Sequence, residues 1–201
     1  MARYGEKKKH SFLKNVILIF SSLAIAVFAL YLIIQNLGCV QDMVGDTLYP
    51  MKYQQQVDRA AETYNLEKPL IYAVIRTESH FDPEAESHVG AVGLMQLMPE
   101  SFEWLQGLRG QELDISELNN PDVNIDYGCY LLRYFYDYYG SEETAVAAYN
   151  AGFVVGDWLK DPNYSSDGKS LDAIPYGETE RYVEKVMKAK KMYKKLYFSE
   201  K

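Results

Sequence analysis

The chain is poor in the residues that build metal and disulfide frameworks. Its 201 residues include two cysteines, three histidines and two tryptophans. Cys39 and Cys129 have no metal-ligand spacing, so neither a zinc site nor a structural disulfide is expected. His80 and His88 are eight apart with no third ligand in view and are read as surface residues. No metal and no cofactor is expected. Basic charge is also scarce over most of the chain. The net charge is −7, yet residues 1–14 set Arg3, Lys7, Lys8, Lys9 and Lys14 against Glu6. That balance of +4 leaves −11 for the remainder. An acidic body excludes nucleic acid as a natural partner, because a polyanion needs a basic face. There is no internal repeat, no low-complexity tract and no segment that alternates like a strand.

What the chain does have is one long apolar run. "NVILIFSSLAIAVFALYLII", from Asn15 to Ile34, is 20 residues without a charge. At about 1.5 Å per residue it matches a bilayer core of about 30 Å. A cleavable signal has a shorter apolar stretch, about 7–15 residues, and a small-residue cleavage site. A retained anchor is therefore expected. The basic flank precedes the span, which keeps the N-terminus cytoplasmic and sends residues 36–201 outside. "NLGC" (36–39) has the outline of a lipoprotein cleavage site, but Asn36 stands where an aliphatic residue is wanted. The expected layout is a basic cytoplasmic segment 1–14, a transmembrane anchor 15–35, a linker 36–53 and a mainly α domain 54–201.

Within that domain the apolar spacing predicts helices over 55–65, 68–79, 99–108, 122–140, 142–152 and 178–198. Pro69 fits a first turn, and Gly140 and Gly152 fit helix ends. The last helix carries Tyr182, Val183, Val186, Met187, Tyr193, Leu196 and Tyr197 on one stripe. Its lysines read as a solvated flank. Residues 160–175 form a loop rich in Asp, Ser, Pro and Gly, long enough to suggest function.

Two polar residues stand in apolar places. Ile71, Val74, Ile75 and Glu78 fall at i, i+3, i+4 and i+7, so Glu78 occupies a core-facing slot. A carboxyl in apolar surroundings resists ionising and can serve as a general acid near neutral pH. A frayed helix end with Glu78 in water is the plain alternative. In "GAVGLMQLMP" (90–99) the amide Gln96 interrupts an apolar run. It can line a groove or cap a turn.

"ESHFDPEAESHVGAVGLMQLMP" (78–99), "AYNAG" (148–152) and "IPYGETERYVEKV" (174–186) together resemble the lytic transglycosylases of the soluble-lytic-transglycosylase type, lysozyme-like enzymes of bacterial cell walls. "NPDVNIDYGCYLLR" (120–133) also fits, and no motif position departs from the pattern. The resemblance covers roughly residues 55–195 and implies a mainly α, lysozyme-like transglycosylase domain behind the N-terminal transmembrane helix. It implies Glu78 as sole catalytic acid/base. Ser87, Gln96, Tyr149, Asn150, Glu178 and Tyr182 are implied as substrate-binding residues. Ser79 belongs to the same first motif. Tyr149 and Asn150 would orient the glutamate and the N-acetyl group, and Tyr182 would point its hydroxyl at the glutamate. Tyr149 can equally be packing, Asn150 a helix end and Glu178 a first-turn dipole partner.

The implied substrate is the peptidoglycan glycan strand, cleaved without water to leave 1,6-anhydro-N-acetylmuramic acid. The implied setting is the outer side of a bacterial cytoplasmic membrane, with cell-wall or secretion machinery as a candidate partner. Two other readings stay open. One is a goose-type-lysozyme-like hydrolase on the same fold. The other is a wall-binding or assembly protein without catalysis.

Overall fold

A computed structural model describes residues 22, 23, 25–33, 45 and 47–199. The expected cytoplasmic segment, and parts of the expected span and linker, lie outside them. The chain divides into two units, Met1–Leu48 and Tyr49–Lys201. In the first, residues 22, 23 and 25–33 are helical and turn apolar side chains outward, with Ile25 at 69% and Phe28 at 61% exposure. Among the described residues no helix is long and apolar enough to cross a membrane.

The second unit is helical, with no strand among the described residues. Its helices are α1 (Gln54–Tyr64), α2 (Lys68–Ser79), α3 (Pro99–Arg109), α4 (Pro121–Tyr139), α5 (Glu142–Ala151), the short α6 (Val155–Trp158) and α7 (Gly177–Tyr197). Two 3-10 turns, Ile115–Asn119 and Gly152–Val154, join them. Local chemistry sets the boundaries. Pro69 opens α2, and the Asn120 side chain accepts from the Asp122 amide at the start of α4. Gly140, in the left-handed region at φ 73°, ends α4. Ser141 then caps α5 by accepting from Thr144.

The expected one-sided stripe on α2 proves too narrow. Leu70, Ile71, Tyr72, Ala73, Val74 and Ile75 are all buried, so α2 is the central helix and is enclosed on every side. Each fully buried aliphatic of this kind contributes roughly 1.5–3 kcal/mol. Helix α7 packs along α2 through Tyr182, Val183, Val186, Ala189 and Tyr193, and Tyr193 stacks on Tyr72 at 5.3 Å. One of its lysines departs from the solvated-flank expectation. The Lys190 side chain is 13% exposed and reaches Glu142 at 2.7 Å and Glu67 at 3.3 Å. The compact unit also begins earlier than 54. The Tyr193 and Tyr197 hydroxyls donate to the carbonyls of Pro50 and Tyr49, and Tyr49 meets Tyr193 edge-on.

Candidate active site

Glu78 is the second-last residue of α2, where the helix stops because Ser79 is claimed by the following loop. The Ser79 hydroxyl donates to Leu94 O at 2.8 Å and accepts from the Phe81 amide at 3.1 Å. His80 and Phe81 then take consecutive left-handed conformations, φ 53° and 67°, a strained turn that throws the chain away from the helix axis. The carboxyl of Glu78 is left half-buried, and the Tyr182 hydroxyl on α7 donates to its Oε1 at 2.6 Å. Burial pushes the Glu78 pKa up to about 7, and the Tyr182 hydrogen bond pulls the other way. No neighbouring carboxylate is among the causes.

The loop between α2 and α3 forms the site's other wall. It folds on itself through the Glu86–Val92 and Val92–Leu97 bridges and is fastened from three helices. From α4, Asn124 accepts from the Met95 amide at 2.7 Å and donates to Val92 O and Leu118 O. From α5, the Tyr149 hydroxyl donates to Met95 O at 2.7 Å. From α2 comes Ser79. Gly93 is required here. Its φ is +80°, and a Cβ would meet Asn124 Nδ2 at 2.4 Å and Leu118 O at 2.5 Å.

Gln96 sits at φ 49° and donates its amide to the carbonyls of Ala85 and Gly93, both at 3.0 Å. Its nitrogen braces the turn, while its oxygen accepts from no described residue. Ser87 accepts from the Ala91 amide at 2.9 Å and keeps its hydroxyl proton for another acceptor. Asn150 is exposed at the end of α5, where Oδ1 accepts from Thr179 at 2.8 Å and ties α5 to the first turn of α7. Glu178 is exposed in that same turn.

The structure thus joins Glu78 directly to Tyr182. Tyr149 is near enough that the Glu78 charge, after burial, helps raise its pKa well above 10. No hydrogen bond links Ser87, Asn150 or Glu178 to Glu78. Sequence reasoning missed Asn124 and Thr179. Asn124 shares a stripe with Gly128, Leu131 and Phe135 at i, i+4, i+7 and i+11, so the argument that singled out Glu78 applied to it equally. Among the described residues no group of three His, Cys, Asp or Glu side chains could hold a metal ion.

The exposed acids near Glu78 in sequence turn to their own neighbours. Asp82 accepts from the Glu84 amide, and Glu84 from Asn119. The 160–175 loop is organised by Asp167. The Ser170 and Lys169 amides hold its pKa down at about 2. With Tyr138 and Phe153 this loop bounds a cavity of about 480 Å³.

These features define a class: a helical domain with one half-buried, protonatable carboxyl that accepts from a tyrosine hydroxyl. A family model described as "Transglycosylase SLT domain" matches residues 55–170, and the chain belongs to that family. It is 35% identical over 108 residues to a transglycosylase of Enterobacteria phage PRD1, covering 54% of this chain and 38% of that protein. It is 34% identical over 170 residues to membrane-bound lytic murein transglycosylase C of Pectobacterium atrosepticum, covering 72% and 47%. Among solved structures, an inactive mutant of lytic transglycosylase Slt from Pseudomonas aeruginosa superposes with a TM-score of 0.66 at 33% identity. That match covers 75% of this chain and 25% of the other. The chain spans less than half the length of these relatives.

Proposed function

We propose that the Tyr49–Lys201 unit is a murein lytic transglycosylase that cleaves the β-1,4 bond between N-acetylmuramic acid and N-acetylglucosamine. The observation that carries this is the isolated, half-buried Glu78 carboxyl with its pKa near 7 and a single tyrosine donor. Such a group is protonated often enough at neutral pH to give its proton to the bridging oxygen. As the bond breaks, positive charge grows at C1 of the muramoyl sugar, and the sugar's own N-acetyl oxygen stabilises it, as in substrate-assisted glycosidases. Tyr182 holds the new Glu78 carboxylate. That carboxylate takes the proton from the C6 hydroxyl of the same sugar, and O6 closes on C1. Glu78 ends protonated, no water is consumed, and the product carries a 1,6-anhydro ring. The nucleophile is tethered to the electrophile, an entropic advantage that makes a second carboxylate unnecessary.

Gln96 Oε1, the Ser87 hydroxyl and Asn150 Nδ2 are the groups left to orient sugar hydroxyl and N-acetyl groups, and exposed Glu178 is assigned to the groove's edge by the resemblance alone. The hydrolase reading needs a second acid, and the candidates Asp82, Glu84, Glu86 and Glu178 are all exposed and none of them shifts Glu78, which weighs against it. The layout proposed for the whole chain is a cytoplasmic 1–14, a membrane anchor 15–35, a linker that ends near 48 and an external catalytic unit. The exposed apolar helical residues 22, 23 and 25–33 support the anchor, and one of the relatives is itself named membrane-bound.

Mass spectrometry of muropeptides released from purified peptidoglycan tests the chemistry. The expected products are one water lighter than lysozyme products, and Glu78→Gln releases none. Reducing-end products would move the protein to the hydrolases, and an active Glu78→Gln variant would remove Glu78 from the mechanism.

A further inference from the structure

A side-chain amide can be seated either way round, and its hidden partner decides which end is shown. In Gln96 the nitrogen is spent on the Ala85 and Gly93 carbonyls, so the oxygen is left over. Asn150 has the opposite arrangement. It is the second-last residue of α5 and exposed, and its Oδ1 accepts from the Thr179 hydroxyl at 2.8 Å. Its oxygen is held, so its nitrogen is the end left over. Thr179 is the third residue of α7 and only 3% exposed, so little water competes for its hydroxyl. A β-branched residue in a helix also has few rotamers open to it. Helix α7 runs for 21 residues and opens without a side-chain cap. Its free first-turn amides form a positive end, which favours the Asn150 oxygen on that side over the nitrogen. The acids of the same turn, Glu178 and Glu180, are exposed.

We propose that Thr179 is a positioning residue: its hydroxyl seats the Asn150 amide with the nitrogen outward, so that the site offers the sugar a donor at that point. The inference rests on the reading of Asn150 as a substrate-binding residue and adds what makes it one. The carbonyl of an N-acetyl group is an acceptor and takes that donor. A reversed amide would meet it oxygen to oxygen and leave both unpaired. The competing role for Thr179 is to fasten α5 to α7 and no more. Two substitutions separate the roles. Thr179→Val removes the hydroxyl and keeps the branched shape, and the freed Asn150 oxygen is exposed to water. Asn150→Asp keeps an acceptor for Thr179, and with it the fastening, but shows an oxygen on both sides.

The test measures, for the full-length chain, turnover of purified peptidoglycan, calorimetric binding of the N-acetylglucosamine trimer, and melting temperature. Thr179→Val is expected to weaken trimer binding and to lower kcat/KM, each by about tenfold, the worth of one hydrogen bond, at a melting temperature close to that of wild type. Thr179→Ser is expected to restore both. Asn150→Asp is expected to melt as high as wild type and to lose at least as much binding as Thr179→Val, and adding Thr179→Val to it costs no further binding. In wild type the side-chain amide signal of Asn150 in a nitrogen-proton NMR spectrum is expected to move when the trimer is added, and in Thr179→Val to stay. Unchanged binding and kcat/KM in Thr179→Val overturn the proposal. So does full activity of Asn150→Asp, which would reduce the bond to a fastening. Wild type that binds the trimer but releases no anhydro products defeats the catalytic reading alone, and the binding comparison still judges Thr179. Wild type that neither binds nor cleaves overturns both.

Discussion

A carboxyl whose pKa is pushed to about 7 ties its own ionisation to the stability of the fold. The unfolded value is near 4.5, so between these limits the native state holds the proton more tightly than the unfolded chain does. Stability at this position is therefore greatest below about pH 4.5 and declines as pH rises through 7. The decline is on the order of 3 kcal/mol once Glu78 is fully ionised. Glu78→Gln removes the titration and keeps the shape. The variant is expected to match wild type in melting temperature near pH 5 and to exceed it near pH 8, in scans at constant ionic strength. A gap that does not widen with pH would mean that the carboxyl is not desolvated. Spacing on α2 drew attention to Glu78 but left an exposed helix end as the plain alternative, and it was the resemblance of the surrounding motifs that singled the residue out. Sequence reasoning stopped short at Gln96, because a sequence does not say that the amide nitrogen is spent on Ala85 and Gly93 while the oxygen is left over.

At the scale of elements, the loop between α2 and α3 is held in shape by a hole. Gly93 and Gly90 both have positive φ, but only Gly93 has a neighbour where a Cβ would go. Gly90→Ala meets open space and pays the left-handed backbone strain alone, about 1–2 kcal/mol. Gly93→Ala adds a collision with Asn124 and the Leu118 carbonyl, for about 2–4 kcal/mol in all. Thermal unfolding of the two variants is expected to show a drop roughly twice as large for Gly93→Ala. Equal drops would mean that Asn124 can step aside. The helices were legible because their signals are local: Pro69 at the start of α2, Gly140 at the end of α4, apolar spacing between. The fastening of the loop was not, because Tyr149 and Met95 lie 54 positions apart and Tyr182 and Glu78 104 apart. Only folding brings such pairs together.

For the whole molecule, the acidic catalytic unit and the basic, apolar N-terminal segment have opposite characters. The segment's proposed role is to keep the unit at the membrane. The full-length chain is expected in the membrane pellet, released by detergent and retained through high-salt washes, because apolar insertion is not screened by ions. Release by salt, or an intact mass that begins near Cys39, would replace the span by a surface or secreted form. The expectation of this layout came from composition and charge order alone. The packing of Tyr49 and Pro50 onto α7 was not legible there, since their backbone carbonyls carry no sequence signature.

The fastening of Met95 has one more consequence. Its amide, its carbonyl and the carbonyl before it are gripped by α4, α5 and α2, and its sulfur fills the space that Gly128 leaves. No small fluctuation frees this residue, because each grip is anchored in a different part of the core. Its amide proton is expected to exchange with solvent only through global opening, at the rate of the slowest core amides. Activity and folded structure would then vanish together along a denaturant series, with no range in which the protein is folded but disarmed. Hydrogen exchange at Met95 that outpaces the centre of α2 would show instead that the site loosens ahead of the fold.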